Sequence, residues 1–399
     1  MEKHIIVSNL TKQIQAGNHI IGIVAGSGMT AKYTSMGGAD LILTLSAGKF
    51  RQMGRSSFTS YLCYSNSNQL VMELGTKEIL PLIPDKPVIF GISASDPTIG
   101  LYDYILSIKR NGFGGIVNFP TMCILDGAFR EALEEDGNCY ANEIEAVRIA
   151  NYLDLFTVAF VNDEIQAEHM INAGADLICV HFGMTKGGHL GAKRFLSLEI
   201  AINISQKIFE VCDAIRPGII KMVYGGPATS PLEMKYIYQK TQCNGYIGGS
   251  TFDRLPIEDV MINTTKAFKT TIHEVGAAYT TDVLKNKNYM NFVKEYVGNS
   301  YQNPNIKLTD IARIAFLSSS YLSTKFKAEA GISFTEYLVN YRVEKAKELM
   351  AGSEYAMKTI AEMVGYVDYV QFSKIFKKYT GQSPSEYKKK YLMKPQNKT

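Results

Sequence analysis

The sequence lacks any long apolar run. None of its 399 residues falls in a stretch approaching 18 consecutive apolar side chains, so no membrane-spanning helix is expected. The start, Met1-Glu2-Lys3-His4, lacks the charged-then-apolar pattern of a secretory signal. Cysteine is sparse: Cys63, Cys123, Cys139, Cys179, Cys212 and Cys243 lie far apart, with no C-x-x-C pair. That argues against zinc and against a disulfide framework, and for a reducing cytoplasm. Neither a metal nor a cofactor is expected. A strong net charge is also missing, since 42 Lys and Arg against 38 Asp and Glu leave only +4. The near-balance hides an asymmetry: residues 1–279 carry 23 basic and 27 acidic side chains, and residues 280–399 carry 19 and 11, which together restore those totals. An acidic body joined to a basic tail suits a second half that meets a polyanion, although charge alone fits a merely soluble basic domain equally well.

What is present is ordinary for a soluble globular chain: 46% hydrophobic and 20% charged residues, at a length that calls for two or three domains. Over the first 270 residues, short apolar runs alternate with amphipathic stretches. The runs are Ile20–Ala25, Leu41–Leu45, Val88–Ile92, Gly115–Asn118, Phe156–Val161, Leu177–His181, Ile219–Tyr224 and Gly245–Ile247. Eight strands with helical returns, followed by small and polar loop residues, predict a TIM barrel; an open doubly wound sheet is the alternative. A stretch of weak periodicity then predicts a linker at 273–288. The domains expected are a barrel over 1–272 and an all-α domain over 289–399.

In the second domain two segments share one design. Leu308–Ala315, a turn at Phe316-Leu317-Ser318 and a helix over Ser319–Ala330 form the first, with Ser318 or Ser319 as N-cap and Leu322 and Phe326 inward. Thr359–Val364, a turn at Gly365–Asp368 and a helix carrying Phe372 and Phe376 form the second, and Phe334–Met350 joins them. Each second helix is short enough to enter a major groove, so this is a double helix-turn-helix domain and double-stranded DNA the expected partner.

Residues 360–387, IAEMVGYVDYVQFSKIFKKYTGQSPSEY, carry A-x-x-x-G-[FY], F-x-[KR]-x-F-[KR] and G-x-[ST]-P-x-x-[FY]. This resembles the AraC/XylS family of bacterial transcription regulators over roughly residues 290–392. The resemblance implies base-reading residues at Ser320, Ser323 and Thr324 in the first recognition helix, and at Tyr369, Val370, Gln371 and Lys374 in the second. Gln suits adenine, Lys suits guanine, and Ser or Thr suits either donor or acceptor. Small hydroxyls where other members carry longer side chains imply weaker readout by the first helix. Lys325, Lys327, Lys377 and Lys378 serve phosphates or merely solvate a helix face.

In the barrel, Gly225-Gly226-Pro227 after the seventh strand and Gly248-Gly249-Ser250 after the eighth stand where barrels often hold phosphate; the other reading is ordinary tight turns. Arg51 and Arg55 suit a carboxylate or phosphate. Asp96 could act as acid or base or cap a helix, and His181 could be catalytic or structural. With Gly26, Ser27, Gly28 and Asn118 these make up the candidate ligand site.

The segment also resembles the phosphoenolpyruvate-hydrolase-like TIM-barrel proteins over about residues 5–272. The residues that carry this are Gly26–Lys32, Gly37–Ile42, Gly112–Thr121, Ala173–Asp176, His181–Gly188, Gly225–Pro227 and Arg254–Pro256. It departs from that pattern at Ser46, Ser56 and Tyr224, where Asn, Gly and His are usual, which weakens the case for catalysis more than that for binding. The expectation is a transcription regulator whose barrel senses a small anionic metabolite. The alternatives are a DNA-tethered hydrolase or lyase acting on a phosphoenolpyruvate-like compound, and a barrel kept only as a dimerisation scaffold. A homodimer and contact with RNA polymerase are further expectations; a membrane partner is not.

Overall fold

The computed structural model describes residues 1–269, 289–315, 317–352 and 355–392. The chain divides into two compact units, residues 1–274 and 275–399. The expected linker at 273–288 and the turn residue Phe316 lie outside the described residues.

In the first unit eight strands close into a ring: β1 (Ile20–Val24), β2 (Leu41–Thr44), β3 (Val88–Ile92), β4 (Gly115–Asn118), β5 (Phe156–Val161), β6 (Leu177–His181), β7 (Ile220–Tyr224) and β8 (Gly245–Gly248). Each pairs in parallel with the next, and β8 returns to β1 through Ile20 opposite Gly245 and Gly22 opposite Ile247. The closed ring excludes the open-sheet alternative. The strands are buried along nearly their whole length, which is why they read as continuous apolar runs and not as alternating ones.

Two motifs at the N-terminal ends of strands have a shared structural use. Gly38 and Gly174 adopt positive φ (96° and 94°), and each is followed by a buried Ala and an Asp. Asp40 accepts from the Ile21 N–H of β1 at 2.9 Å, and Asp176 accepts from the Thr157 N–H of β5 at 3.0 Å. Each Gly-Ala-Asp thus ties the start of one strand to the strand before it. The opening helix Lys3–Gln15 covers this end, burying Ile6 and Leu10 and setting Lys3 3.0 Å from Asp176.

Among the described residues the second unit's regular elements are all helices: Tyr289–Ser300, Leu308–Ile314, Ser319–Ala330, Phe334–Gly352, Met357–Met363, Tyr369–Thr380 and Pro384–Leu392. Ser318 caps the helix Ser319–Ala330 by accepting from the Tyr321 N–H (3.2 Å), and Asp368 caps Tyr369–Thr380 by accepting from the Val370 N–H (2.9 Å). Each ends on a left-handed glycine, Gly331 or Gly381. Phe372 and Phe376 are buried with Val343, Ala346, Ile360 and Val364, joining the long helix to the second motif. Among the described residues no helix is long and apolar enough to cross a membrane.

Candidate functional site

At the C-terminal mouth of the barrel, most polar residues hold one another. Arg51, on the short helix after β2, is buried; it donates to Asp253 (3.2 Å), to the Val24 carbonyl (3.0 Å) and to Ser57 (3.3 Å), and hydrogen-bonds the Tyr224 hydroxyl. Asp253 also accepts from Thr30 (2.8 Å) and Gln52, so one buried carboxylate ties the loops after β1, β2 and β8 together. Ser27 caps the helix Gly28–Met36, and Gly26 and Gly48 pack backbone to backbone where a Cβ has no room. Gly249 lies against the Arg51 guanidinium and the Tyr224 hydroxyl. Gly225 and Gly226 take positive φ (73° and 59°) and press on the loop after β6, with the Gly226 N–H donating to the Gly183 carbonyl (3.2 Å).

The centre of the mouth is filled by rings. Phe160 stacks on Tyr224 at 5.0 Å and meets His181 edge-on at 5.1 Å, while Phe119 and Tyr61 extend the cluster. His181 accepts at Nδ1 from the Gly183 N–H (3.0 Å), which leaves the proton on Nε2, and that buried atom has no partner. Burial pushes its pKa down to about 3, so the ring is neutral at physiological pH.

Two cavities remain around this packed centre, and their walls differ in charge. One, of 370 Å³, lies among the loops after β2, β3 and β4 and is lined by Asp96 and Glu143 with no Lys, Arg or His. Burial acts to raise the Asp96 pKa, but hydrogen bonds from Thr98, Asn66 and Asn68 outweigh it and hold the carboxyl below its ordinary value. Glu143 was not foreseen from the sequence: burial raises it to about 7, against hydrogen bonds from the Met122 N–H, Thr121 and Asn118. Asn118 is thereby turned toward the helix Tyr140–Tyr152, and its carbonyl oxygen accepts from the Phe160 N–H. The second cavity, of 270 Å³, lies between the loops after β2, β6 and β8; Arg55, Lys193 and Arg254 line it with Ser57, Thr185 and Ser250.

The candidate residues are therefore not one cluster. Asp96 lines the first cavity, Arg55 and Ser250 the second, and Arg51, Asn118, His181 and the glycines are buried outside both. The departures from the family pattern have local uses: Ser46 accepts from Ser67 (2.8 Å), Ser56 caps a turn, and Tyr224 belongs to the ring cluster. Among the described residues no group of three or more His, Cys, Asp or Glu is placed to hold a metal ion.

On the second unit, Ser320, Ser323, Thr324, Val370, Gln371 and Lys374 are exposed, Tyr369 and Lys325 half-buried, and Lys327, Lys377 and Lys378 exposed. Leu322, Phe326, Phe372 and Phe376 face inward. Lys325 lies 5.8 Å over the Tyr321 ring. Arg342, missed in the sequence, joins the two motifs. Buried on the long helix, it donates to the carbonyls of Tyr301 (2.8 Å) and Asn303 (2.7 Å) ahead of the first motif, and lies 5.2 Å over the Tyr366 ring in the second. Gly365 is glycine because φ is +88° and a Cβ would meet the Tyr301 carbonyl at 2.4 Å.

Residues 5–271 match the model of the phosphoenolpyruvate hydrolase-like family. The chain belongs to that family. Residues 311–390 match a helix-turn-helix domain model, and this second domain is of the AraC type. The tomato (Solanum lycopersicum) ToMV susceptible protein tm-1(GCR26) is 36% identical over 266 residues, 66% of this chain and 35% of its own. The y4pA protein of Sinorhizobium fredii is 40% identical over 250 residues, 63% of this chain and 41% of its own. The raffinose operon transcriptional regulatory protein RafR of Pediococcus pentosaceus is 34% identical over 135 residues, 33% of this chain and 48% of its own. The chain thus matches between about a third and a half of the length of these relatives.

Proposed function

We propose that this phosphoenolpyruvate hydrolase-like chain is a DNA-binding transcription regulator whose barrel senses a small anionic metabolite. The observation that carries the DNA-binding part is the pair of capped recognition helices, each fixed by two inward apolar side chains while its other face presents Ser, Thr, Gln and Lys to solvent. The name of RafR, a transcriptional regulatory protein, agrees with this reading. Sensing is supported over turnover by the geometry of the mouth. Asp96 and His181 line no common cavity, and the His181 ring is packed edge-on against Phe160 and Tyr224.

The test is Lys374→Ala in a DNA titration on an operator selected from random sequence. We expect specific binding to weaken by about 1–3 kcal/mol, with preference relaxed at one base position. Unchanged affinity and preference would remove Lys374 from base readout.

A further inference from the structure

Resting on the sensing reading, we infer that the anion occupies the cavity walled by Arg55, Lys193 and Arg254, and that it is a small dianion, a phosphate monoester or a dicarboxylate. The two cavities at the mouth decide the location by charge. The one holding Asp96 and Glu143 contains no cationic side chain and repels an anion, whereas the other has three cations and no carboxylate in its wall.

The three cations are not equivalent. Arg254 is buried and fixed, donating to both oxygens of Glu258 (3.0 and 3.1 Å) and to the Gly187 carbonyl (2.9 Å). Its charge is already matched. Arg55 and Lys193 are exposed at the rim, and among the described residues neither has an ion-pair partner. Two uncompensated cations match two negative charges, and the Ser57, Thr185 and Ser250 hydroxyls add hydrogen-bonding capacity along the wall. A volume of 270 Å³ falls below the roughly 300–1,000 Å³ of pockets for drug-sized ligands, so the occupant is small.

The backbone of the wall on the β6 side is held in place. The loop between β6 and the helix Leu198–Ile215 is pinned by the buried Lys186–Glu233 pair (2.5 Å) and by the His189 N–H donating to Glu258 (2.8 Å). Ala192, next to Lys193, donates its N–H to the Thr185 carbonyl (3.0 Å), so the backbone is held there too and an anion is met by the exposed Arg55 and Lys193 side chains reaching from two loops. Glu258 lies on the helix Leu255–Lys269, the last described element before the second unit. An anion that approaches Arg254 competes with Glu258, and this is where binding reaches the helix Leu255–Lys269.

The experiment is calorimetric titration of the full chain with inorganic phosphate, glycerol phosphate and a series from oxalate to succinate; the phosphate and carboxylate arms identify the source of the dianion. Arg55→Ala and Lys193→Ala should each weaken binding by about tenfold or more, the loss of one charge-assisted hydrogen bond, and Asp96→Asn in the other cavity should not weaken it. Both substituted residues are exposed, so the variants should melt as the wild type does. Undiminished binding in the Arg55→Ala, Lys193→Ala double variant overturns the site. Absence of binding by any of these anions at about 10 mM overturns the ligand class. Binding that obeys the variants while leaving DNA affinity unchanged upholds the site and removes the sensing role instead.

Discussion

The barrel mouth and the recognition helices both concentrate polar side chains, but they use them in opposite ways. At the mouth, Arg51, Asp253, Thr30, Asn118, Glu143 and Thr121 satisfy each other inside the protein. On the recognition helices, Ser323, Thr324, Gln371 and Lys374 face solvent, and the helices are held from behind by Leu322, Phe326, Phe372 and Phe376. A polar residue at a strand end is thus not in itself a ligand group. In this barrel such residues chiefly hold eight loops in register, and the side chains left over for a ligand are those at the cavity rim.

The largest expected effect tests the first half of that contrast. Arg51→Ala strips the Asp253 carboxylate, whose side chain is 0% exposed, of its charged partner. Removing one member of a buried pair costs about 3–5 kcal/mol, because the remaining charge stays desolvated. Chemical denaturation of the barrel should show that loss. A loss below about 1 kcal/mol would mean that solvent reaches Asp253, and the mouth would then have to be treated as an open site.

The same contrast explains what could be read in the sequence. The strands were legible because each is a short, almost fully buried run, and the observed limits differ from the sequence reading by about one residue. The helix-turn-helix motifs were legible because their determinants are local: a capping hydroxyl or carboxylate, an i, i+4 apolar pair and a terminal glycine within about a dozen residues. The mouth was not. Arg51 and Asp253 are 202 positions apart, and nothing local in either predicts the other. Arg51 and Arg55 looked alike in sequence, yet one is buried in a four-way contact and the other lines a cavity. Glu143 sits in the first turn of a helix with no motif around it, and its importance comes only from Thr121 and Asn118 meeting it in space. Lys193 went unnoticed because it lies in a loop without periodicity, and Arg342 because its partners are backbone carbonyls, which leave no trace in the sequence.

The next effect in size concerns two buried groups whose titrations oppose. Burial lowers His181 from 6.5 to about 3, so between those values the unfolded chain binds the extra proton and stability rises with pH. Burial raises Glu143 from 4.5 to about 7, so there the folded chain holds the extra proton and stability falls as pH rises. Each slope reaches at most about 1.4 kcal/mol per pH unit, and the two cancel between 4.5 and 6.5. His181→Asn keeps an acceptor for the Gly183 N–H and removes the first titration. Urea unfolding should show the stability of that variant falling relative to the wild type as pH rises across this window. A variant with the pH dependence of the wild type would show that His181 is not held neutral in the folded barrel.

The smallest effect bears on the two recognition helices, which share their caps and their apolar pairs and differ in reach. Ser323 ends in a short hydroxyl, so a contact from it to a base edge would be a single neutral hydrogen bond, direct or through water. Ser323→Ala should therefore weaken operator binding by about 0.5–1 kcal/mol, below the loss for Lys374→Ala, and leave the salt dependence unchanged because no charge is removed. Comparing both variants on operators altered under one helix at a time separates the contributions. A Ser323→Ala loss equal to that of Lys374→Ala would mean that the helices read DNA equally. Side-chain length would then not set the division of labour, and the explanation would pass to Arg342, which ties Tyr301 and Asn303 ahead of the first motif to Tyr366 in the second.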